Sequence, residues 1–169
     1  SDFSVFAFDA LRTALNKLEQ TELLLSGSIY SPDVVPTAAE LLGSNDERSF
    51  RNTLLGASVA RSCAAWIEDQ VEVRGVSAPV PHTMYITQST GTPKAIQGSS
   101  SFTASGLGLV PSPRFEMNTL LEGNEQLSAL KEVFESLWAD PRLTKQVKAE
   151  LLANLKTIYE PKSAQLIYF

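Results

Sequence analysis

The side-chain types that could carry out chemistry are concentrated in residues 81–121. The run over 82–86 alternates along its length, which predicts a strand with His82 and Met84 on one face. The segment Gly98-Ser99-Ser100-Ser101 then places a glycine and three hydroxyls at the end of the next predicted strand. Backbone N–H groups and hydroxyls in such a turn can hold an anion.

A third predicted strand adds Glu116 and Asn118, which fall on one of its faces. Each feature alone has an ordinary explanation, since a single His on a strand is usually a surface or core residue and serine-rich turns are common. A carboxylate such as Glu116 is usually just solvated. The presence of all three features in this order along the chain is hard to explain by these separate causes. It favours a site that uses His82, the serine turn and Glu116.

The composition restricts the kinds of site that the chain can build. It has 169 residues, 14 basic and 19 acidic side chains for a net charge of −5, one Cys and one His. One Cys excludes an internal disulfide, and one Cys with one His excludes a structural zinc site. The overall acidity argues against a surface that binds DNA everywhere. Residues 48–115 hold 6 basic and 3 acidic side chains, so the stretch that bears the motifs is positive, as phosphate binding would require. The alternative is that its arginines are ordinary solvated residues.

Hydrophobic periodicity predicts an α/β domain with a mixed β-sheet flanked by helices on both faces. Cys63, Trp66 and Trp138 lie on apolar helical stripes and are predicted core residues. The predicted helices are 5–20, 37–42, 45–70, one with a stripe over 127–138 and one with a stripe over 147–158. The predicted strands are 22–30, 71–74, 82–88, 94–98 and 115–121.

Several helix boundaries are marked by capping residues. Gly43 suits the position after a helix C-terminus, and Ser44 with Glu47 forms a capping box for the long helix. Asp140-Pro141 is typical of an N-cap followed by a first-turn proline. No apolar run reaches the ~18 residues that a membrane span needs, so no membrane partner is expected.

The motifs in residues 81–121 resemble those of the phospholipase D superfamily, the HKD nucleases. That family carries H-x-K on one strand, G-S-x-N after the next strand and, in nuclease members, a Glu on the strand after that. The chain reads His82-Thr83-Met84, then Gly98-Ser99-Ser100-Ser101, then Glu116. The runs GSSSFTASGL and FEMNTLL are also similar to the family's patterns. The helix at 45–70 and the segment 137–169, which resembles the link to a DEAD/SNF2-type helicase, extend the resemblance over most of the chain.

The resemblance implies a phospholipase D-like fold with a single HKD half-site and a nuclease that needs no metal or cofactor. In that chemistry a His attacks phosphorus to form a phosphohistidine, a second His protonates the leaving oxygen, and water resolves the intermediate. Because the chain has one His, only a homodimer could complete the site. The implied site residues are the nucleophile and general acid His82, its orienting residue Glu116, and the phosphate-side residues Ser99, Ser100, Ser101 and Asn118.

The chain departs from the family pattern at three positions. The Lys is missing: either Met84 occupies its position, or the Lys is deleted and Met84-Tyr85-Ile86 aligns with the residues that follow it. The motif's Asp position falls on Ser89 and its Asn position on Ser101. Loss of one charged transition-state donor typically costs ~10²–10³ in rate. The alternative function is therefore a catalytically degenerate module that serves dimerisation or DNA binding. A lipid-acting phospholipase is disfavoured because no amphipathic membrane-facing helix stands out.

The expected organisation is a phospholipase D-like nuclease domain at 1–139 and a C-terminal helical extension or linker at 140–169, toward a following domain. Because the chain begins with Ser and ends on an apolar run, we expect it to be a piece of a longer protein. The resemblance further implies DNA, a second copy of the chain and a helicase domain or subunit as partners. The expected setting is restriction, defence or repair in a prokaryotic cytoplasm.

Overall fold

The structure is a computed structural model that describes residues 3–26, 35–43, 53–76, 80, 82–88, 93–112 and 115–160. Its helices over these ranges are α1 (Val5–Leu15), α2 (Ala38–Leu41), α3 (Thr53–Gln70), α4 (Asn124–Ala139) and α5 (Lys148–Tyr159). Its strands are β1 (Thr21–Ser26), β2 (Val71–Val76), β3 (Thr83–Thr87), β4 (Lys94–Gly98), β5 (Asn118–Glu122) and β6 (Thr144–Gln146). The predicted mixed α/β class is confirmed. In the part of the chain that the structure describes, no helix is long and apolar enough to cross a membrane.

The strands form two three-stranded sheets, which corrects the expectation of one mixed sheet. In the first sheet β2 is central, with β1 parallel on one side and β6 antiparallel on the other. In the second sheet β4 is central and both of its neighbours, β3 and β5, are antiparallel. The parallel pair β1–β2 needs a crossover, here the stretch that contains α3. Between β2 and its antiparallel partner β6 the chain passes through β3, β4 and β5, which pair with one another and so form a sheet of their own.

The first sheet shares one hydrophobic core with α1, α3 and α5. The alternation of β2 places Val71 and Val73 against these helices, and each is almost completely buried. Trp66 of α3 packs on Phe8 of α1 with the ring centroids 5.1 Å apart. Cys63 is also buried in this cluster, which confirms it and Trp66 as core residues. Burial raises the pKa of the Cys63 thiol, so this thiol is poorly suited to act as a nucleophile.

Helix α5, which lies in the segment expected to be an extension or linker, packs into the same core. Leu151 and Leu155 of α5 are both 0% exposed and lie in the cluster with the first sheet. The strand β6 extends that sheet, with Thr144 opposite Val76 and Gln146 opposite Arg74. In the described residues, β6 and α5 therefore pack with the first sheet, α1 and α3.

The expected helix start at Asp140-Pro141 is wrong. Helix α5 begins at Lys148, and β6 lies between the two. The Asp140 carboxylate instead accepts hydrogen bonds from the backbone N–H and the guanidinium of Arg142, at 2.7 to 3.0 Å. These bonds lower the pKa of Asp140 to about 2. The strand β6 escaped prediction because three residues are too few for an alternating pattern to be recognised.

Capping residues explain the starts of the first two helices. Ser4 is the N-cap of α1, and its Oγ accepts from Ala7 N at 3.3 Å. Thr37 and Glu40 form a capping box at α2, and Gly43 takes the positive φ of 75° expected after a helix. The capping box expected at 44–47 lies outside the described residues.

Two aromatic contacts connect the second sheet and α4 to the rest of the molecule. Phe3 forms a parallel bridge with Phe102, and their rings stack with centroids 5.4 Å apart. Arg74 of β2 lies over the Trp138 ring of α4 at 5.0 Å and donates to the Trp138 carbonyl. Because Arg74 alternates with Val73, this contact is on the opposite face of the first sheet from α3 and α5. The C-terminal end of α4 therefore meets the face of the first sheet that is opposite α3 and α5.

Candidate functional site

The turn that follows β4 is held by hydrogen bonds to the chain entering β5. Ser99 N donates to Met117 O at 3.1 Å, and Met117 N donates back to Ser99 Oγ at 3.0 Å. Asn118 Nδ2 donates to Ser100 Oγ at 2.7 Å, while Ser100 N donates to Asn118 Oδ1 at 3.4 Å. These contacts continue the β4–β5 pairing beyond its last pair, Gly98 with Asn118. The positions of the two serines are therefore set by the second sheet.

Gly98 is required at the junction of β4 and this turn because the neighbouring strand approaches very closely. A Cβ at residue 98 would lie 2.2 Å from Met117 O and 2.3 Å from Asn118 Oδ1. Gly106 has the same relation to the turn, since a Cβ there would lie 2.3 Å from Ser101 O. A larger residue at either position would have to displace backbone.

Ser99 and Glu116 are joined directly. Ser99 Oγ donates to Glu116 Oε2 at 2.6 Å, a length typical of a hydroxyl bound to a carboxylate. Ser99 is exposed and Glu116 is half-buried, so both remain accessible to a ligand. The second carboxylate oxygen of Glu116 accepts no hydrogen bond from the described residues.

Ser101 belongs to a separate chain of hydroxyls. Its Oγ lies 3.1 Å from Thr103 Oγ1, which in turn lies 3.2 Å from Ser105 Oγ. Gly106 N also donates to Thr103 Oγ1 at 3.0 Å. Thr103 is buried, so this chain ties Ser101 to the loop that follows it.

His82 lies immediately before β3 with an exposed side chain. The β3–β4 register pairs Thr83 with Gly98, and continuing it by one pair places His82 opposite Ser99. Within the described ranges, His82 has no hydrogen bond or ion pair that would hold its ring. The structure thus places the imidazole at the same strand end as the turn without a direct contact.

Met84 lies in β3 opposite Gln97 and is half-buried. By alternation it shares a face with His82, while Asn118 and Tyr85 lie on the other face. Ser99, at the end of β4, lies by alternation on the face of His82 and Met84, yet its hydroxyl bonds to Glu116, which shares the face of Asn118. Lys94, a cation of β4, lies at the far end of the strand and pairs with Glu122 at 2.6 Å.

Tyr85 is a residue of this region that the sequence analysis did not select. Its hydroxyl donates to Ser100 O at 3.0 Å, and its ring packs on Phe102 with centroids 6.2 Å apart. Burial, and to a lesser extent the Glu116 carboxylate, raises the pKa of Tyr85 to about 12. Its place on β3 was predictable, but its reach to the turn depends on how the turn folds over the strand.

An open cavity of about 400 Å³ adjoins the turn. Ser100, Glu116 and Asn118 form its polar side, and Leu107, Val110 and Phe115 contribute apolar surface. None of the described residues that line it carries a positive charge. The described residues also contain no group of three His, Cys, Asp or Glu side chains that could hold a metal ion.

The structure therefore brings Ser99, Ser100, Glu116 and Asn118 into one hydrogen-bonded cluster and leaves three predicted residues outside it. Ser101 bonds to the following loop, His82 lies at the neighbouring strand end, and Met84 is on the other face. Comparison of the chain with protein-family models, with curated proteins and with solved structures finds no match. The function is therefore argued from the cluster and from the motifs.

Proposed function

We propose that the chain is a phospholipase D-like domain whose site is half of a metal-independent nuclease acting on DNA. The observation that carries this proposal is the position of Ser99. It lies opposite His82 in the continued strand register and donates to Glu116 at 2.6 Å. A candidate nucleophile, a hydroxyl and a carboxylate are thus grouped at one end of the second sheet, in the order in which the family's motifs place them.

In the proposed reaction, the His82 imidazole attacks phosphorus and the bond to the leaving strand's oxygen breaks. The leaving oxygen takes a proton from the His82 of a second copy of the chain. Water then attacks phosphorus, gives a proton to that second His and releases the first. Ser101 and the Asn118 amide are the proposed donors to the non-bridging oxygens, and Ser99 can join them when its hydroxyl turns from Glu116 to the phosphate.

This reaction needs a second copy because each chain supplies one imidazole. The same resemblance leads us to propose a homodimer that works with a helicase domain or subunit in restriction, defence or repair in the cytoplasm. The proposed role of Glu116 is to orient a His ring. Its carboxylate retains one oxygen without a described partner, so it can accept from an imidazole N–H.

A second candidate function is a degenerate module that binds DNA or dimerises without cutting. Two observations favour it. Met84 lies where the resemblance expects a cation, and a thioether cannot stabilise developing negative charge. The described residues around the cavity also supply no Lys or Arg. Absence of one charged donor typically lowers the rate of the catalysed reaction ~10²–10³-fold.

The test is cleavage of plasmid DNA by the purified chain in excess EDTA. We expect Met84→Lys to raise the cleavage rate on the order of 10²-fold, and His82→Ala to abolish that gain. Gln88→Lys is the matched control, since it adds the same charge at an exposed position beyond β3 and should not raise the rate.

Cleavage that requires a divalent metal would contradict the proposed mechanism. If the native chain and the Met84→Lys variant both bind DNA without cutting it, the second candidate function, a degenerate module, is correct. Equal gains from Met84→Lys and Gln88→Lys would show that added charge, rather than the position of Met84, is responsible.

A further inference from the structure

We infer that the cavity beside the serine turn holds an unpaired nucleobase, so that the preferred ligand is single-stranded DNA; this inference deepens the proposed function and rests on it. The first argument is position. Ser100 and Asn118 line the cavity and also hold the turn through their mutual hydrogen bonds. A nucleotide whose phosphate lay at the turn would have its base within reach of the cavity.

The second argument is charge. The described lining includes one carboxylate, that of Glu116. A phosphate placed against this carboxylate would be repelled by it, whereas a neutral base with N–H groups is complementary to it. The carboxylate oxygen of Glu116 that has no described partner has two lone pairs, so it can accept from a base amino or imino group as well as from the imidazole N–H proposed above.

The third argument is the aromatic ring at the edge of the cavity. Phe115 lines the cavity, yet its relative exposure is 102%, so the ring packs against nothing in the described chain. Leu107 and Val110 add apolar surface to the same cavity. A free aromatic ring beside a phosphate-binding turn is the arrangement on which single-stranded bases stack, and stacking is tolerant of base sequence.

A base in a duplex cannot occupy this cavity, because it is already paired and stacked between its neighbours. It would first have to be unpaired and extruded, at a cost that a single strand does not incur. The open cavity offers about 400 Å³ of space, so a base can lie in it against Phe115 with part of its edge still in solvent. Single-stranded DNA should therefore bind more tightly than a duplex of the same sequence.

The experiment measures binding of fluorescent oligonucleotides to the full chain by anisotropy at fixed salt. The three ligands are a mixed-sequence single strand, a strand of equal length with abasic sites throughout, and the duplex. We expect the base-bearing strand to bind about ten-fold more tightly than the abasic strand. Phe115→Ala should remove most of that difference, and Phe115→Trp should keep it.

Met117→Ala is the matched control, because Met117 is 81% exposed and two residues away but does not line the cavity. It should change binding of every ligand by less than about two-fold. Equal binding of the base-bearing and abasic strands, or equal effects of Phe115→Ala and Met117→Ala, would overturn the inference. Binding of no strand at all would also overturn it.

These failures are distinguishable from failure of the proposed function, which is decided by the cleavage assay with Met84→Lys and His82→Ala. An abasic strand that binds as tightly as the base-bearing strand would remove the base pocket and leave the nuclease proposal in place. A base-dependent affinity without cleavage would support the pocket on a degenerate module.

Discussion

Ser99 Oγ donates a 2.6 Å hydrogen bond to Glu116 Oε2 and accepts one from Met117 N at 3.0 Å. One hydroxyl thus connects the end of β4 to two consecutive residues that precede β5. It also sets where the carboxylate of the proposed site lies. The bond makes Ser99 structurally important in a way that its exposure alone would not indicate.

We predict that Ser99→Ala lowers the free energy of unfolding by about 0.5–1.5 kcal/mol, because both of these hydrogen bonds are lost. The measurement is the urea midpoint at an unchanged slope. Ser128→Ala is the control: this serine is exposed on α4, and alanine there should be neutral or stabilising by up to ~0.5 kcal/mol. Equal midpoints for the two variants would show that the Ser99 bonds contribute nothing.

Gly98→Ala should be destabilising by about 1–3 kcal/mol or more, because its Cβ would lie 2.2 Å from a backbone oxygen of the neighbouring strand. Gly56→Ala on α3 is the comparison. There the Cβ would meet the end of the Leu42 side chain at 3.3 Å and Phe6 Cζ at 3.9 Å, and helix propensity favours alanine. Thermal unfolding of both variants tests the difference. A Gly98→Ala protein as stable as Gly56→Ala would mean that the strands separate at no cost.

Tyr85 should make stability fall at alkaline pH. The pKa of Tyr85 is raised to about 12 in the folded chain, against about 10 for an unfolded tyrosine. Between these values the unfolded chain loses the phenol proton while the folded chain keeps it, so the free energy of unfolding falls as pH rises. The stabilising contribution is complete below about pH 10 and is lost as pH rises through 12.

Denaturant unfolding of Tyr85→Phe as a function of pH tests this prediction. The variant should show a shallower fall between about pH 10 and 12, together with a loss of about 0.5–1.5 kcal/mol at neutral pH from the missing bond to Ser100 O. Identical slopes for the native chain and Tyr85→Phe would contradict the raised pKa.

Leu151→Ala should cost about 2–5 kcal/mol, because Leu151 is 0% exposed within the main core. Leu152→Ala is the matched control one residue further along α5, where the side chain is only half-buried and the cost should be smaller. Chemical unfolding of both variants checks the order. Similar small losses would indicate that α5 behaves as a separable extension, as the sequence suggested.

Much of the local structure was predictable because its signals are local. The pattern around Phe8 and Leu15 predicted α1, and the run 94–98 predicted β4 with the bounds that the structure has. The missed strand β6 and the mistaken helix start at Asp140 show the limit. Three residues of strand are stable only because Val76 and its neighbours in β2 offer a partner, which no local pattern reveals.

The amino-acid sequence by itself determined the mixed α/β class, the positions of most helices and strands, and the order His82, serine turn, Glu116. These follow from side-chain periodicity and residue type, which act over a few neighbouring residues. Only the tertiary structure decided that the strands divide into two sheets. It also decided that Ser99 bonds to Glu116 while Ser101 bonds to Thr103, and that Phe115 is left exposed beside a cavity. The physical reason is that each of these depends on strand register and on which backbone groups meet across residues distant in the chain.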